Sequence, residues 1–144
     1  MKTEKICERI LMELSKLVGF EEKDTLAPGG RIKIADKLIT FIHDTDIDEH
    51  NLCIYVDFGK PVDNDDETVR KLLKINFELD IAQRGTLSLH PVTEHAIFSF
   101  RYQLNEQGSG QALIDEIARA VADVAIEGAN VGSGANDTVT LSKR

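Results

Sequence analysis

A chain of 144 residues with 42% hydrophobic content has single-domain length and enough apolar side chains to close one core. Its 17 basic and 25 acidic residues leave a net charge of -8 and a pI near 5.0, which disfavours nucleic acid and anionic membranes and suits a basic polypeptide partner. No stretch reaches the roughly 20 apolar residues that span a bilayer, and Met1 to Glu4 lead into no secretory apolar run, so a reducing cytosol is the expected location.

From Thr3 to Val18 the residues Ile6, Ile10, Leu11, Leu14, Leu17 and Val18 recur at spacings of three and four, which predicts an amphipathic helix stopped near Gly19. Pro28, Gly29 and Gly30 mark a turn, with Leu26 as an anchor in the polar connection. The period then changes to two. Ile32 and Ile34 alternate with charged neighbours, Leu38 to Ile42 is almost continuously apolar, and Leu52, Ile54, Val56 and Phe58 alternate cleanly, which predicts three strands joined by hairpins at 36–37 and 43–50.

The acidic run Asp63 to Glu67 precedes a second helical period, Thr68 to Asp80, where carboxylates meet the positive helix end. Val69, Leu72, Leu73, Ile75, Phe77 and Leu79 spread over an arc of roughly 200°, wider than a helix needs to pack on its own sheet. Strands follow at Thr86–His90 and Ala96–Leu104, and a last helix at Gln111 to about Glu127 carries Leu113, Ile114, Ile117, Val121 and Val124 on one side. The order α-β-β-β-α-β-β-α predicts a single α+β domain over residues 1–127 with a five-stranded, largely antiparallel sheet packed against helices. Residues 128–144, rich in Gly, Ala, Asn, Ser and Thr, read as a flexible tail.

The constellations that carry chemistry are missing. Asp44, Asp46 and Asp48 fit the first positions of a calcium loop, but Glu49 stands where Gly is needed and Tyr55 where Glu is needed. His50 and Cys53 form half a zinc site with no second half, while His90 and His95 fall in another hairpin. Cys7 and Cys53 have no redox spacing and read as small buried hydrophobes. Ser109, between two glycines, lacks any nucleophile or phosphate-loop motif around it, so it reads as the start of the last helix rather than a catalytic group. No enzyme activity, metal or cofactor is expected. What remains is surplus apolar surface: Ile39, Phe41, Cys53 and Tyr55 are placed opposite the core side of the meander, and the second helix has its broad arc.

The order of elements, with Leu72 to Phe77, Gly85 to Pro91 and Ile97 to Phe100 before Leu104, resembles the bacterial type III secretion chaperones of the Tir-chaperone family over about residues 3 to 127. The resemblance implies a cytoplasmic, non-enzymatic homodimer that binds an extended N-proximal segment of a secreted effector. It puts the dimer interface at Leu73, Asn76, Phe77, Leu87 and Leu89. It puts the effector groove at Ile32, Ile34, Ile39, Phe41, Cys53 and Tyr55. The acidic loop at 43–50 and the Gly-rich tail depart from many members. A regulatory adaptor domain of the same general fold, similar to the bacterial sensory-transduction regulators, is the alternative role; a small hydrolase would need Ser109 or a histidine to meet a base in a cleft.

Overall fold

The computed structural model describes residues 2–19, 30–61 and 66–127. The elements are α1 (Lys2–Leu17), β1 (Arg31–Ile34), β2 (Lys37–Ile42), α2 (Thr45–Asp48), β3 (Asn51–Asp57), α3 (Asp66–Ile81), β4 (Thr86–Leu89), β5 (Ala96–Gln103) and α4 (Gly110–Glu127). The expected α+β order holds, with one helical turn, α2, added inside the 43–50 connection. Leu26, the turn residues Pro28 and Gly29, the acidic residues 63–65 and the tail 128–144 lie outside the described residues.

The strands form one antiparallel sheet in the order β1-β2-β3-β5-β4. Ala35 and Asp36 both take positive φ, 53° and 63°, so a two-residue turn reverses β1 into β2 and sets Ile32 opposite Ile39. Across the next pairs Ile39 faces Val56, Phe41 faces Ile54, Val56 faces Phe98 and Leu52 faces Tyr102. Directly opposed residues share a sheet face, and Ile39, Phe41, Leu52, Ile54, Val56 and Phe98 are all buried. This row is the floor of the core.

The roof is helical. Cys7, Ile10, Leu11 and Leu14 of α1 and Leu113, Ile117, Val121 and Val124 of α4 are buried in the same cluster, while Leu17, expected on the packed side of α1, is 53% exposed. At Gly110 the helices nearly touch: an added Cβ would collide with the backbone of Leu14 and lie 2.7 Å from Glu13 C. Glu13 Oε1 accepts the Gly110 N–H at 2.9 Å, and Ser109 Oγ accepts that of Ala112 at 3.1 Å, so α4 starts where the sequence places it, with one cap from α1. Arg9 donates to the carbonyls of Gly108 and Glu106 and to Glu13, tying the same corner.

The sheet's other face carries Leu38, Thr40, Ile42, Cys53, Tyr55, Ile97, Ser99 and Arg101, none of them buried. Lys37, in β2, is 5% exposed on the core side with its ammonium 5.1 Å from the centre of the Phe58 ring, a cation–π contact.

Candidate functional site

The hydrogen-bond parity of the sheet decides what α3 does. Ala96 and Leu104 exchange backbone hydrogen bonds with the β3 side, so the even positions of β5 face β3 and the odd ones face β4. Ile97 and Ser99 pair with Ser88 and Thr86, and the backbone groups of Leu87 and Leu89 therefore point out of the sheet. Asn76 of α3 meets the first of these, its Oδ1 accepting the Leu87 N–H at 2.9 Å. The helix runs along the β4 edge with Leu72, Ile75 and Leu79 buried.

Its opposite side is exposed among the described residues. Val69, Leu73, Phe77 and Ile81 follow one another at i, i+4, the first 37% and the other three 64% exposed, and spacing of four stacks them on one helix face. Of the five dimer positions expected from the resemblance, Leu73 and Phe77 thus lie on the outer face. Asn76 is held within the chain, Leu87 is buried, and Leu89 packs partly against the core. Ile81 was missed because the expected helix stopped at Asp80; one further step of four from Phe77 would have found it.

The six residues expected to line one partner groove are divided between the two sheet faces. Ile39 and Phe41 have no exposed surface and Ile32 has 4%, with Ile34 packed against the same core. They lie on the floor with Ile54 and Val56, so the expectation that Ile39 and Phe41 sit opposite the core is corrected. The cause is register: the run Leu38 to Ile42 is apolar at both parities, and only its pairing with β3 assigns a face. Cys53 and Tyr55 do occupy the other face, half-buried and 37% exposed. Ile42, opposite Cys53 and 39% exposed, joins them and was not singled out from the sequence.

The polar residues with chemical potential serve turns and ion pairs. Asp44 Oδ1 caps α2 through the Asp46 N–H. Asp48 accepts from Asn51 and from the His50 N–H and faces Arg101 Nε at 3.2 Å; the Asn51 bond is the main reason its carboxyl sits below the usual range. His95 Nδ1 meets Asp57 at 2.9 Å, His43 Nε2 meets the Glu49 carbonyl, and His90 Nδ1 accepts the N–H groups of Val92 and Thr93. Cys7 is fully buried, and that burial, followed by the charge of Glu8, pushes its thiol up to about 11. Among the described residues no group of three or more His, Cys, Asp or Glu side chains is placed to hold a metal.

A concavity of about 600 Å³ opens where β4 ends. The last β4–β5 pair is Thr86 with Ser99, whereas β5 continues beside β3 to Gln103. Gly85 takes φ 139° and lies so close over the Ser99 carbonyl and the Phe98 ring that no Cβ fits, so the chain leaves the sheet there. Phe98 and Phe100 line the concavity from the core face and Ser99 and Arg101 from the other, which makes it a notch in the sheet edge. Ala120 and Asp123 of α4 form a wall, and Asp123 is bound to Arg84 at 2.6 Å.

Among the described residues, then, one sheet face and one apolar helix stripe stay exposed, and the polar groups named above serve turns and ion pairs. Residues 9–126 match the model of the Tir chaperone protein (CesT) family, and the chain belongs to that family, which is one of chaperones and not of enzymes. Among solved structures it is similar to one in the crystal structure of the ExsC-ExsE complex, at 12% identity and a TM-score of 0.67, covering 90% of this chain and 96% of that one. It is likewise similar to one in the HopA1-SchA chaperone-effector complex, at 14% identity and a TM-score of 0.66, covering 89% and 97%. No curated protein sequence matches. No helix among the described residues is long and apolar enough to cross a membrane.

Proposed function

We propose that the protein is a cytoplasmic chaperone of bacterial type III secretion that acts as a homodimer and keeps an effector secretion-competent by holding an extended N-proximal segment of it. Family membership supports the chaperone role, and one of the similar structures is described as a chaperone-effector complex. The observation that carries the dimer is the outward stripe Val69, Leu73, Phe77 and Ile81 on α3. In a twofold interface each stripe meets its own copy, so one apolar row covers another. Leu73 and Phe77 make the contact in this reading, and Asn76, Leu87 and Leu89 hold the helix against the sheet behind it.

The effector segment lies on the open sheet face over Cys53 and Tyr55, with Ile42 beside them, where an extended chain meets apolar side chains and the arginine of Arg101. Ile32, Ile34, Ile39 and Phe41 support that sheet from beneath and set its shape. Affinity capture from the native bacterium tests the client: one dominant secreted polypeptide, bound through its N-proximal region and lost with Tyr55→Glu, is the expected result. Equilibrium sedimentation tests the dimer separately. A wild-type monomer at micromolar concentration rejects it, and a folded Phe77→Asp variant that remains dimeric rejects the location.

A further inference from the structure

The open sheet face carries a charge opposite to that of the chain. Register sets Arg31, Thr40, Tyr55 and Ser99 in one row across the strands and Lys33, Leu38, Asp57 and Ile97 in the next row of that face, since directly opposed residues share a side. Arg31 and Lys33 therefore stand at the β1 margin of the apolar strip, turned away from the buried Ile32 between them. Both are exposed, and neither makes an ion pair among the described residues. Arg101 stands at the β5 margin, opposite Cys53; Asp48 engages it at Nε, 3.2 Å away, yet its side chain stays 64% exposed. The acid in these rows, Asp57, is already held by His95 and by the Gly59 N–H. A protein of net charge -8 thus presents basic groups on both sides of its exposed apolar strip.

Resting on the reading that the effector segment occupies this face, we propose that the segment is acidic, with apolar side chains over Ile42, Cys53 and Tyr55, one carboxylate at Arg31 and Lys33 and another at Arg101. This reverses the partner charge that the net charge alone favours. Local charge prevails because interactions between exposed charges fade beyond about 8–10 Å at physiological salt, so a bound carboxylate responds to these basic groups more than to acids on the far side of the domain. The sheet also sets the spacing. Neighbouring strands lie about 4.8 Å apart, and β1 is separated from β5 by β2 and β3, which puts the two margins about 14 Å apart. Arg101 is two residues beyond Ser99, so the basic groups at the two margins are about 16 Å from one another. An extended chain covers that in about five residues, which leaves alternate side chains between its two acids to point at Cys53 and Tyr55.

Fluorescence anisotropy with two synthetic peptides tests this on the full chain. Both peptides share an alternating core of Leu and Ser; one carries Asp at two flanking positions about five residues apart, the other Lys at the same positions. The acidic peptide should bind at least about fivefold more tightly. Arg31→Glu combined with Lys33→Glu should reverse that order, and the milder Arg31→Gln with Lys33→Gln should narrow it, with circular dichroism as the check on folding. Wild-type affinities within about twofold of each other, binding of neither peptide, or a preference that folded variants leave unchanged overturns the proposal. Tyr55→Ser separates the site from its charge. Equal affinities that Tyr55→Ser lowers alike leave the face as the docking site and reject the acidic segment, whereas a charge preference indifferent to Tyr55→Ser rejects the face and the proposal with it.

Discussion

Asn76 Oδ1 accepts the Leu87 N–H at 2.9 Å, so a helix side chain stands where the next strand of the sheet would donate or accept. One amide therefore occupies the Leu87 position on the outer edge of β4, and together with the buried Leu72, Ile75 and Leu79 it accompanies the rotation of α3 that leaves Leu73 and Phe77 outward. Asn76→Leu removes the acceptor and leaves a part-buried N–H. It should cost about 1–2 kcal/mol in urea denaturation, together with faster exchange of the Leu87 amide, whereas Asn76→Asp keeps an acceptor and should lose less.

Phe41 and Tyr55 look interchangeable in the sequence and should respond oppositely to charge. Phe41 is completely buried, and Phe41→Glu places an unpaired carboxylate in the core at a cost of about 3–5 kcal/mol, enough to unfold a domain of ordinary stability. Tyr55→Glu should melt close to the wild type. Circular dichroism melts of the two variants decide it, and a stable Phe41→Glu protein would refute the register.

Glu13 joins α1 to the start of α4, and the Gly110 N–H, followed by Arg9, holds its carboxyl below the ordinary value of 4.5. A folded pKa lower than the unfolded one means that this contribution is fully present above about 4.5 and is lost as the pH falls through the depressed value. The gap in melting temperature between wild type and Glu13→Gln should be constant near neutrality and close in strongly acidic solution. A gap that persists unchanged at pH 2 would show that the charge plays no part.

The two thiols should separate cleanly. Cys7 is fully buried, with its thiol pushed up to about 11, and thiolate is the reactive form; Cys53 is only half-buried. Alkylation at pH 8 followed by mass spectrometry should give one fast site, Cys53, with Cys7 modified only under denaturant. Equal rates in the folded protein would contradict the packing of α1.

Gly110→Val should be among the most damaging single changes, because the new side chain would have to enter the backbone of α1 at Glu13 and Leu14. A loss of more than about 2 kcal/mol is expected, read from denaturant midpoints. A neutral result would mean that α1 and α4 can separate without consequence.

The elements were legible where one period dominates. Ile10, Leu11 and Leu14 announce α1, and the alternation of Leu52, Ile54, Val56 and Phe58 fixes β3 with its buried parity. The short capping helix α2 was not legible, since its acids also fit a hairpin loop. The candidate surfaces were read in part. A wide apolar arc on α3 was visible, but which of its residues face outward depends on how Leu72, Ile75 and Leu79 pack on the core and on the Asn76–Leu87 contact between elements. The face of Ile39 and Phe41 was hidden for a related reason: local sequence gives a strand two sides, and only its partner tells which is which.

The corner where Arg9 and Glu13 grip Gly108 and Gly110 joins segments that a ribosome delivers far apart in time. While the middle of the chain is being made, Cys7, Ile10, Leu11 and Leu14 have no α4 to lie against, and the strands they share must wait with them. Closing so distant a contact is slow in loop-entropy terms. Until α4 is released, a protein whose family guards other chains has an unguarded helix of its own, and an incomplete copy that stops before residue 110 would be a substrate for the cell's general quality control.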